Sequence, residues 1–219
     1  MAVEVETRDC TALTDADLDE MASLGGAFEI GLLSKAKEDW VLCATARASG
    51  ALVGFMFSTL ERIGGTPCVL IGLLSVQRSD LREDALRGLM NEAYHRALMA
   101  FPDEDVVVGS RFVAADGLVA FAELSELIPR PEHRAVGEER AWGRRLAKRF
   151  AVDAHYDEKT FVVANNGQSG FIDVVATDPA SVEAEVAALF ADVPRAKGGV
   201  LIVHGWTMAE DLVDLGSRR

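Results

Sequence analysis

Apolar runs separated by short polar breaks predict a group of strands in the middle of the chain. Residues 40–47 (WVLCATAR) and 51–60 (ALVGFMFSTL) are two such runs, joined by a turn that contains Gly50, and they predict a hairpin. A second glycine-containing turn leads into residues 68–76 (CVLIGLLSV), which are apolar on both faces. A strand of that kind is expected in the interior of a sheet.

The apolar positions then change from the spacing of a strand to that of a helix. Between residues 81 and 100 they recur every three or four positions, which is one face of a long helix. Residues 105–112 (DVVVGSRF) predict another buried strand. The central order is therefore hairpin, strand, helix, strand.

The N-terminal segment predicts one strand and two short helices. Residues 3–7 (VEVET) alternate between apolar and polar positions, which suits a strand at the edge of a sheet. Thr14 and Asp17 have the spacing of a capping box at the start of a helix, and residues 28–37 predict a second short helix. This second helix would lie over the mouth of any site that the strands form, where acceptor specificity often resides.

The remaining residues give a weaker alternation of helices and strands. The predicted elements are a short helix within residues 114–127, a basic helix at 134–149, strands at 159–164, 170–176 and 199–206, and a last helix that begins at a Thr207-x-x-Glu210 capping box. These elements could extend the main sheet or form a small lobe beside it. We divide the chain into a core at residues 1–127 and an extension at residues 128–219 that packs on this core.

Length and composition favour a cytoplasmic protein with one sizeable core. The chain has 219 residues, of which 49% are hydrophobic. No apolar run reaches the roughly 18 residues that cross a bilayer, and the first residues do not resemble a secretory signal. The formal net charge of −13 argues against binding to nucleic acid or to an anionic membrane.

One segment reverses this charge. Residues 130–150 contain seven lysines and arginines and three glutamates, a net charge of +4, so the rest of the chain carries −17. This basic island could meet phosphates or the acidic surface of the protein itself, and the second reading is favoured because charge-rich helices usually pair with their own surroundings.

The cysteines and histidines do not predict a metal site. Cys10, Cys43 and Cys68 are scattered, and the last two lie in predicted buried strands, where cysteine usually acts as a small hydrophobic residue. The four histidines lack the spacing of metal ligands.

The order βααβββαβα across residues 4–124 resembles the GNAT superfamily of N-acetyltransferases. The resemblance implies an α/β (α+β) fold with a mixed, mostly antiparallel central sheet flanked by helices. It also implies an acyl-CoA site made by the strand at residues 68–76, the loop at 77–82 and the helix at 81–100. In such a site the strand offers backbone groups to the pantetheine arm, and the helix N-terminus binds the pyrophosphate.

Eight residues of this chain match the cofactor-binding positions that the resemblance implies. They are Leu74, Ser75 and Val76 on the strand, Arg82, Asp84, Ala85 and Leu86 at the helix start, and Asp116 at the start of the next helix. The family's phosphate loop typically reads Arg/Gln-x-x-Gly-x-Gly/Ala. Arg82 and Ala85 fit this pattern, whereas Glu83 stands where a glycine is expected and Asp84 adds a second negative charge, which suits an ordinary helix start and opposes a polyanion.

The catalytic residues that family members often use have no counterpart at the matching positions. Ala122 stands where a tyrosine would protonate the leaving thiolate, and Ser75 is the only polar candidate for a base on the strand. The resemblance therefore implies transfer of an acyl group from acetyl-CoA or another acyl-CoA to a small amine or a protein amine, by positioning of the two reactants. The alternative is a GNAT-like binding or regulatory module without transfer chemistry. A homodimer is compatible with either function.

Overall fold

The described part of the chain forms an eight-stranded sheet with helices on both faces. A computed structural model describes residues 2–24, 28–165 and 182–217. The strands are β1 (Val3–Asp9), β2 (Leu42–Ala48), β3 (Ala51–Ile63), β4 (Thr66–Val76), β5 (Val106–Phe112), β6 (Ser125–Ile128), β7 (Val162–Val163) and β8 (Val200–Thr207). The α-helices among the described residues are α1 (Asp15–Ser23), α2 (Ile30–Asp39), α3 (Arg82–Ala100), α4 (Gly137–Arg149), α5 (Ala184–Ala188) and α6 (Ala209–Gly216), and the longest 3-10 helix among them is Ala115–Phe121.

The strand order is β1-β2-β3-β4-β5-β8-β6, with β7 paired to β8. The pair β4–β5 is parallel and is connected through α3, whereas the other pairs are antiparallel. The fold predicted from the resemblance, a mixed and mostly antiparallel sheet flanked by helices, is therefore confirmed by the topology.

Two layers of apolar side chains lie against the two faces of the sheet. On one face α3 and α6 pack on alternate residues of the central strands, for example Val106 and Val108 of β5. On the other face α1, α2 and α4 pack on the residues in between, such as Val107. All seven residues of β5 are buried, which explains its apolar start, and the buried set includes the polar residues Ser110 and Arg111.

The parallel strands β4 and β5 separate after a short ladder. Their register covers only Cys68↔Val107, Val69↔Val108 and Leu70↔Gly109. Past this point Ser110 Oγ donates a hydrogen bond of 2.8 Å to the carbonyl oxygen of Ile71. A side chain thus takes the place of a backbone donor, and the two strands diverge toward their carboxyl ends. We call this gap the open end.

A bulge in β4 lies at the open end. The register passes from Met56↔Leu74 to Ser58↔Ile71, so that two residues, Gly72 and Leu73, stand opposite one residue of β3. The indole of Trp40 packs directly on Gly72, where an added Cβ atom would lie 2.3 Å from the ring. Glycine is required at this position because the aromatic ring takes the space of a side chain.

Several predictions for the first half of the chain are confirmed. β1 lies at an edge of the sheet and pairs with β2. Thr14 and Asp17 form the predicted capping box of α1, with the Asp17 carboxylate accepting from the backbone N–H of Thr14 at 2.8 Å. The long helix and the strands around it follow the predicted order.

The C-terminal half departs from its prediction at two places. The Thr207 capping box is wrong, because Thr207 still belongs to β8 and the first N–H of α6, from Ala209, donates to Asp105 Oδ1 at 3.0 Å. Strand β6 was not predicted, and it pairs with β8. The sequence left open whether the C-terminal elements extend the main sheet or form a separate lobe. In the structure β8 lies beside β5 and extends the main sheet. The predicted strand at 170–176 lies outside the described residues, and the division at residue 127 stays a prediction.

Charges on the basic helix are met by nearby carboxylates. Arg149 Nε donates to Glu61 Oε1 at 2.7 Å, and Arg144 pairs with Glu158. On the inner face, Trp142 and Leu146 are buried in the core. The structure therefore agrees with the favoured reading, in which the basic island pairs with the protein itself. No described helix combines the length and the apolar character needed to cross a bilayer.

Candidate functional site

Two cavities lie on opposite faces of the sheet. The larger one, which we call the α3 cavity, has a volume of about 610 Å³ and lies between α3, the 3-10 helix Ala115–Phe121 and the start of α5. The smaller one, the α2 cavity, has a volume of about 280 Å³ and lies between α2, the end of α4 and the open end of β4 and β5.

One stripe of α3 forms the wall of the α3 cavity. Arg82, Leu86, Met90 and Tyr94 recur at four-residue steps and all line it. From Arg82 to Tyr94 this stripe is roughly 18 Å long, since each helical residue adds about 1.5 Å. The cavity is therefore an elongated groove that begins at the N-terminus of the helix.

Three side chains direct buried polar atoms without a partner into this groove. Arg82 Nε, Tyr94 Oη and both carboxylate oxygens of Asp116 are buried, and they have no well-formed hydrogen bond within the described parts of the chain. The backbone N–H groups of Asp116 and Gly117 lie close enough to the Asp116 carboxyl to influence its pKa. All three residues line the α3 cavity. Buried polar groups are almost always satisfied in native proteins, because leaving one unpaired costs about 1–3 kcal/mol. The groove is thus suited to a polar ligand that supplies both acceptors and donors.

The electrostatics of Asp116 follow from its burial. Its side chain lies at the start of the 3-10 helix and is 7% exposed. Burial raises the pKa of this carboxyl above its usual value, and the backbone N–H groups of Asp116 and Gly117, followed by the positive charges of Arg195 and Arg82, oppose that rise. The guanidinium groups of Arg82 and Arg195 therefore lie near the buried carboxyl of Asp116 at the start of the groove.

The start of α3 has no side-chain cap among the described residues. The carboxylates of its first turn, Glu83 and Asp84, are exposed, and Asp84 forms an ion pair with Arg87 at 3.1 Å. Glu83 lines the α3 cavity, so one carboxylate of the first turn faces the groove, whereas Asp84 is outside the lining. The N–H of Arg82 donates to the Ser79 carbonyl oxygen at 3.1 Å, which leaves the N–H groups of Glu83 and Asp84 suited to an anion.

The structure brings together three of the eight predicted cofactor-binding residues. Arg82, Leu86 and Asp116 line the α3 cavity. Leu74, Ser75 and Val76 are buried at the end of β4 and do not line it, although they flank the open end. Ala85 is fully buried in the core below α3, and Asp84 points to solvent.

Tyr94 was missed by the sequence analysis. It lies in the apolar stripe of α3, so its spacing matches that of an ordinary core residue. Burial raises the pKa of the Tyr94 phenol, which therefore stays protonated at neutral pH. The unpaired hydroxyl in a cavity distinguishes it from its apolar neighbours.

The α2 cavity has a positively charged wall. Arg111 projects into it from β5 beside the open end and is 4% exposed. Its guanidinium lies 4.8 Å from the centre of the Phe150 ring, and Nη1 donates to the Phe150 carbonyl oxygen at 3.4 Å. Burial and the nearby charge of Arg149 lower the pKa of Arg111 well below its ordinary value, whereas Asp39 opposes the shift.

The cysteines are not suited to nucleophilic catalysis. Burial raises the pKa of the thiols of Cys10 and Cys68 to about 12, and it raises the pKa of Cys43 as well. All three thiols are therefore neutral at physiological pH, and none lines either cavity. Within residues 2–24, 28–165 and 182–217 no group of side chains has the arrangement of a metal site.

Comparison with known proteins gives matches at the level of structure. No family model and no curated sequence matches the chain. An IAA acetyltransferase from Bacillus cereus is 13% identical over 63% of this chain and 91% of its own, with a TM-score of 0.40. A Bacillus subtilis acetyltransferase solved in complex with CoA is 14% identical over 63% and 90%, with a TM-score of 0.40. A ribosomal-protein-alanine N-acetyltransferase from Brucella melitensis is 19% identical over 44% and 75%, with a TM-score of 0.33.

Proposed function

We propose that the protein is an acyl-CoA-dependent N-acyltransferase that binds its acyl donor in the α3 cavity. The observation that carries this proposal is the set of buried, unpaired polar atoms of Arg82, Tyr94 and Asp116 along one groove. The groove starts at a helix N-terminus without a side-chain cap, and the residues at that end, Arg82 and Ala115, follow the carboxyl ends of β4 and β5 by six and three residues. An elongated ligand with a polyanionic head and an amide-containing arm matches both features.

The head of the donor would bind at the start of α3. Arg82 and the N–H groups of the first turn supply positive charge and hydrogen-bond donors for the diphosphate. Arg195, which lies close enough to Asp116 to influence its pKa, adds a second positive charge to this region. The carboxyl oxygens of Asp116 would accept hydrogen bonds from amide N–H groups of the pantetheine arm.

The reactive end of the donor would lie at the open end of β4 and β5. There β4 and β5 no longer pair with each other, so backbone N–H and C=O groups on their facing edges can bind the donor. The nitrogen of the amine attacks the thioester carbonyl carbon, so that a C–N bond forms as the C–S bond breaks. The CoA thiolate leaves and takes up a proton from water, and the proton of the amine passes to water. Holding the two reactants together supplies most of the rate.

Isothermal titration with acetyl-CoA and free CoA tests the proposal. We expect saturable binding to the wild type and at least a ten-fold weaker affinity in Arg82→Glu, because the variant replaces a charge-assisted contact with a like charge. Arg96→Glu is the control, since Arg96 lies on the same helix, is 43% exposed and is absent from the cavity wall. A folded protein that binds neither ligand would contradict the proposal.

A binding or regulatory module without transfer chemistry is the second candidate. It is favoured by Glu83 and Asp84, which bring two carboxylates to the helix start where a diphosphate would bind. Release of CoA thiol in the presence of any amine rules it out. Saturable CoA binding with no thiol release over a panel of small and peptide amines supports it.

A further inference from the structure

The α2 cavity meets the open end from the face opposite the proposed donor site. Leu73 of the β4 bulge and Arg111 of β5 both line it, and these residues belong to the two strands that diverge. If the donor binds on the α3 face with its thioester carbon in the gap between β4 and β5, this carbon faces the α2 cavity. The α2 cavity is therefore the compartment from which an acceptor can reach the donor.

The charge of the cavity is positive in a strongly acidic chain. Lys35, Arg111 and Arg149 line it with a single carboxylate, Asp39, while the whole protein carries −13. Arg149 is partly compensated by its hydrogen bond to Glu61. Arg111 differs from the other two cations because it is buried, and buried charges interact with a ligand through a lower effective dielectric.

The burial of Arg111 makes an anionic ligand favourable. Burial and Arg149 both raise the free energy of the charged guanidinium, as the lowered pKa of Arg111 indicates. A carboxylate bound against this planar group would offset both effects and would accept a charge-assisted hydrogen bond from it.

The size and walls of the cavity limit the rest of the ligand. A volume of about 280 Å³ lies near the lower end of small-molecule sites. Trp40, Leu73 and Phe150 supply apolar surface around the cations. A molecule the size of an amino acid with an apolar side chain fits these dimensions, whereas a large polycationic amine would meet like charges.

We infer that the acceptor is a small amine that also carries a carboxylate, in the size class of an apolar amino acid. Its carboxylate binds Arg111, and its amine points to the open end, where it forms the new C–N bond as CoA thiol departs. This inference rests on the proposed function, because the α2 cavity is an acceptor site only if the donor occupies the α3 cavity.

Matched amine pairs test the inference. Leucine and isoamylamine share a side chain and an amine and differ by the carboxylate, as phenylalanine and phenethylamine do. We expect the carboxylate-bearing member to bind at least about ten-fold more tightly in calorimetry without CoA, and to give at least about ten-fold higher kcat/KM in thiol release with acetyl-CoA. Arg111→Met should abolish this preference and leave the affinity for CoA unchanged.

Two variants keep the result interpretable. Lys35→Glu changes an exposed side chain at the rim, so the fold is retained, and it should reduce the preference for the carboxylate several-fold. Arg96→Met, outside both cavities, should leave it unchanged. If the wild type binds CoA, equal affinities and equal kcat/KM values for the two members of each pair would overturn the inference. A preference for the carboxylate that persists in Arg111→Met would overturn it as well. Failure of the wild type to bind CoA would overturn the proposed function instead.

Discussion

Replacing Gly72 by alanine is the sharpest test of the geometry at the open end. An added Cβ atom would lie 2.3 Å from one carbon of the Trp40 indole and 2.7 Å from two others. Ordinary contacts between carbons begin near about 3.5 Å, so the ring would have to retreat by more than about 1 Å. Trp40 is 7% exposed and Leu73 beside it is fully buried, which leaves little room for that movement.

The expected cost is that of overpacking a core. Such substitutions destabilise by about 1–3 kcal/mol, and a rigid aromatic neighbour places Gly72→Ala in the upper half of this range, about 2 kcal/mol. For a chain of this size that loss lowers Tm by about 4–8 °C. Because Trp40 also lines the α2 cavity, we expect acyl transfer to fall as well.

Urea unfolding followed by circular dichroism measures the free energy of unfolding. Gly31→Ala in α2 is the matched control, since nothing lies within 4 Å of an added Cβ there, and it should stabilise by about 0.5–1 kcal/mol because alanine favours helix. In the double variant Trp40→Leu/Gly72→Ala most of the cost of Gly72→Ala should disappear. Equal stability of Gly72→Ala and Gly31→Ala would refute the proposed packing of Trp40 on the bulge.

Two further predictions concern the α3 cavity. Asp116→Asn should raise the free energy of unfolding of the ligand-free protein by about 1 kcal/mol at pH 7.5, because it removes a carboxylate whose charged form is destabilised by burial. Because the folded-state pKa of Asp116 lies above its unfolded value, the stability of the wild type falls as pH rises from the unfolded pKa through the folded pKa. The difference in stability between the two proteins should therefore vanish in acid, below the unfolded pKa. Urea unfolding at a series of pH values measures this difference. Tyr94→Phe removes a hydroxyl without a partner among the described residues, so stability should change by less than about 1 kcal/mol. Because Tyr94 lies roughly 18 Å along α3 from Arg82, kcat for acyl transfer should stay unchanged. A fall in kcat of about 100-fold, as expected for the loss of a general acid, would contradict this position of Tyr94 outside the reaction.

The architecture around α3 could be predicted because its signals are local. The change of apolar spacing at residue 81 and the capping box at Thr14 depend on neighbours along the chain, and both are confirmed. Strand β6 has only four residues, and its pairing with β8 depends on residues about 80 positions away. No local pattern identifies such a strand.

The site was predicted less completely than the fold. Arg82 and Asp116 could be named from a family pattern, and they do line one cavity. The spacing of Tyr94 shows which face of α3 it shares, but spacing does not reveal whether that face meets a core or a groove. Arg111 lies within a mostly apolar strand sequence. Its side chain lines the α2 cavity because β4 and β5 diverge there, and this divergence depends on the whole sheet.

The position of β8 has a consequence for how the chain folds during synthesis. Val106 pairs with Thr207, so about 100 residues must be translated after β5 before its second edge is covered. At about 5–20 residues per second this takes roughly 5–20 s. During that interval β5, apolar on both faces, offers an open edge that can pair with other chains. We therefore expect the yield of native protein to depend on temperature and on chaperones during expression, through a step that the stability of the finished fold does not govern.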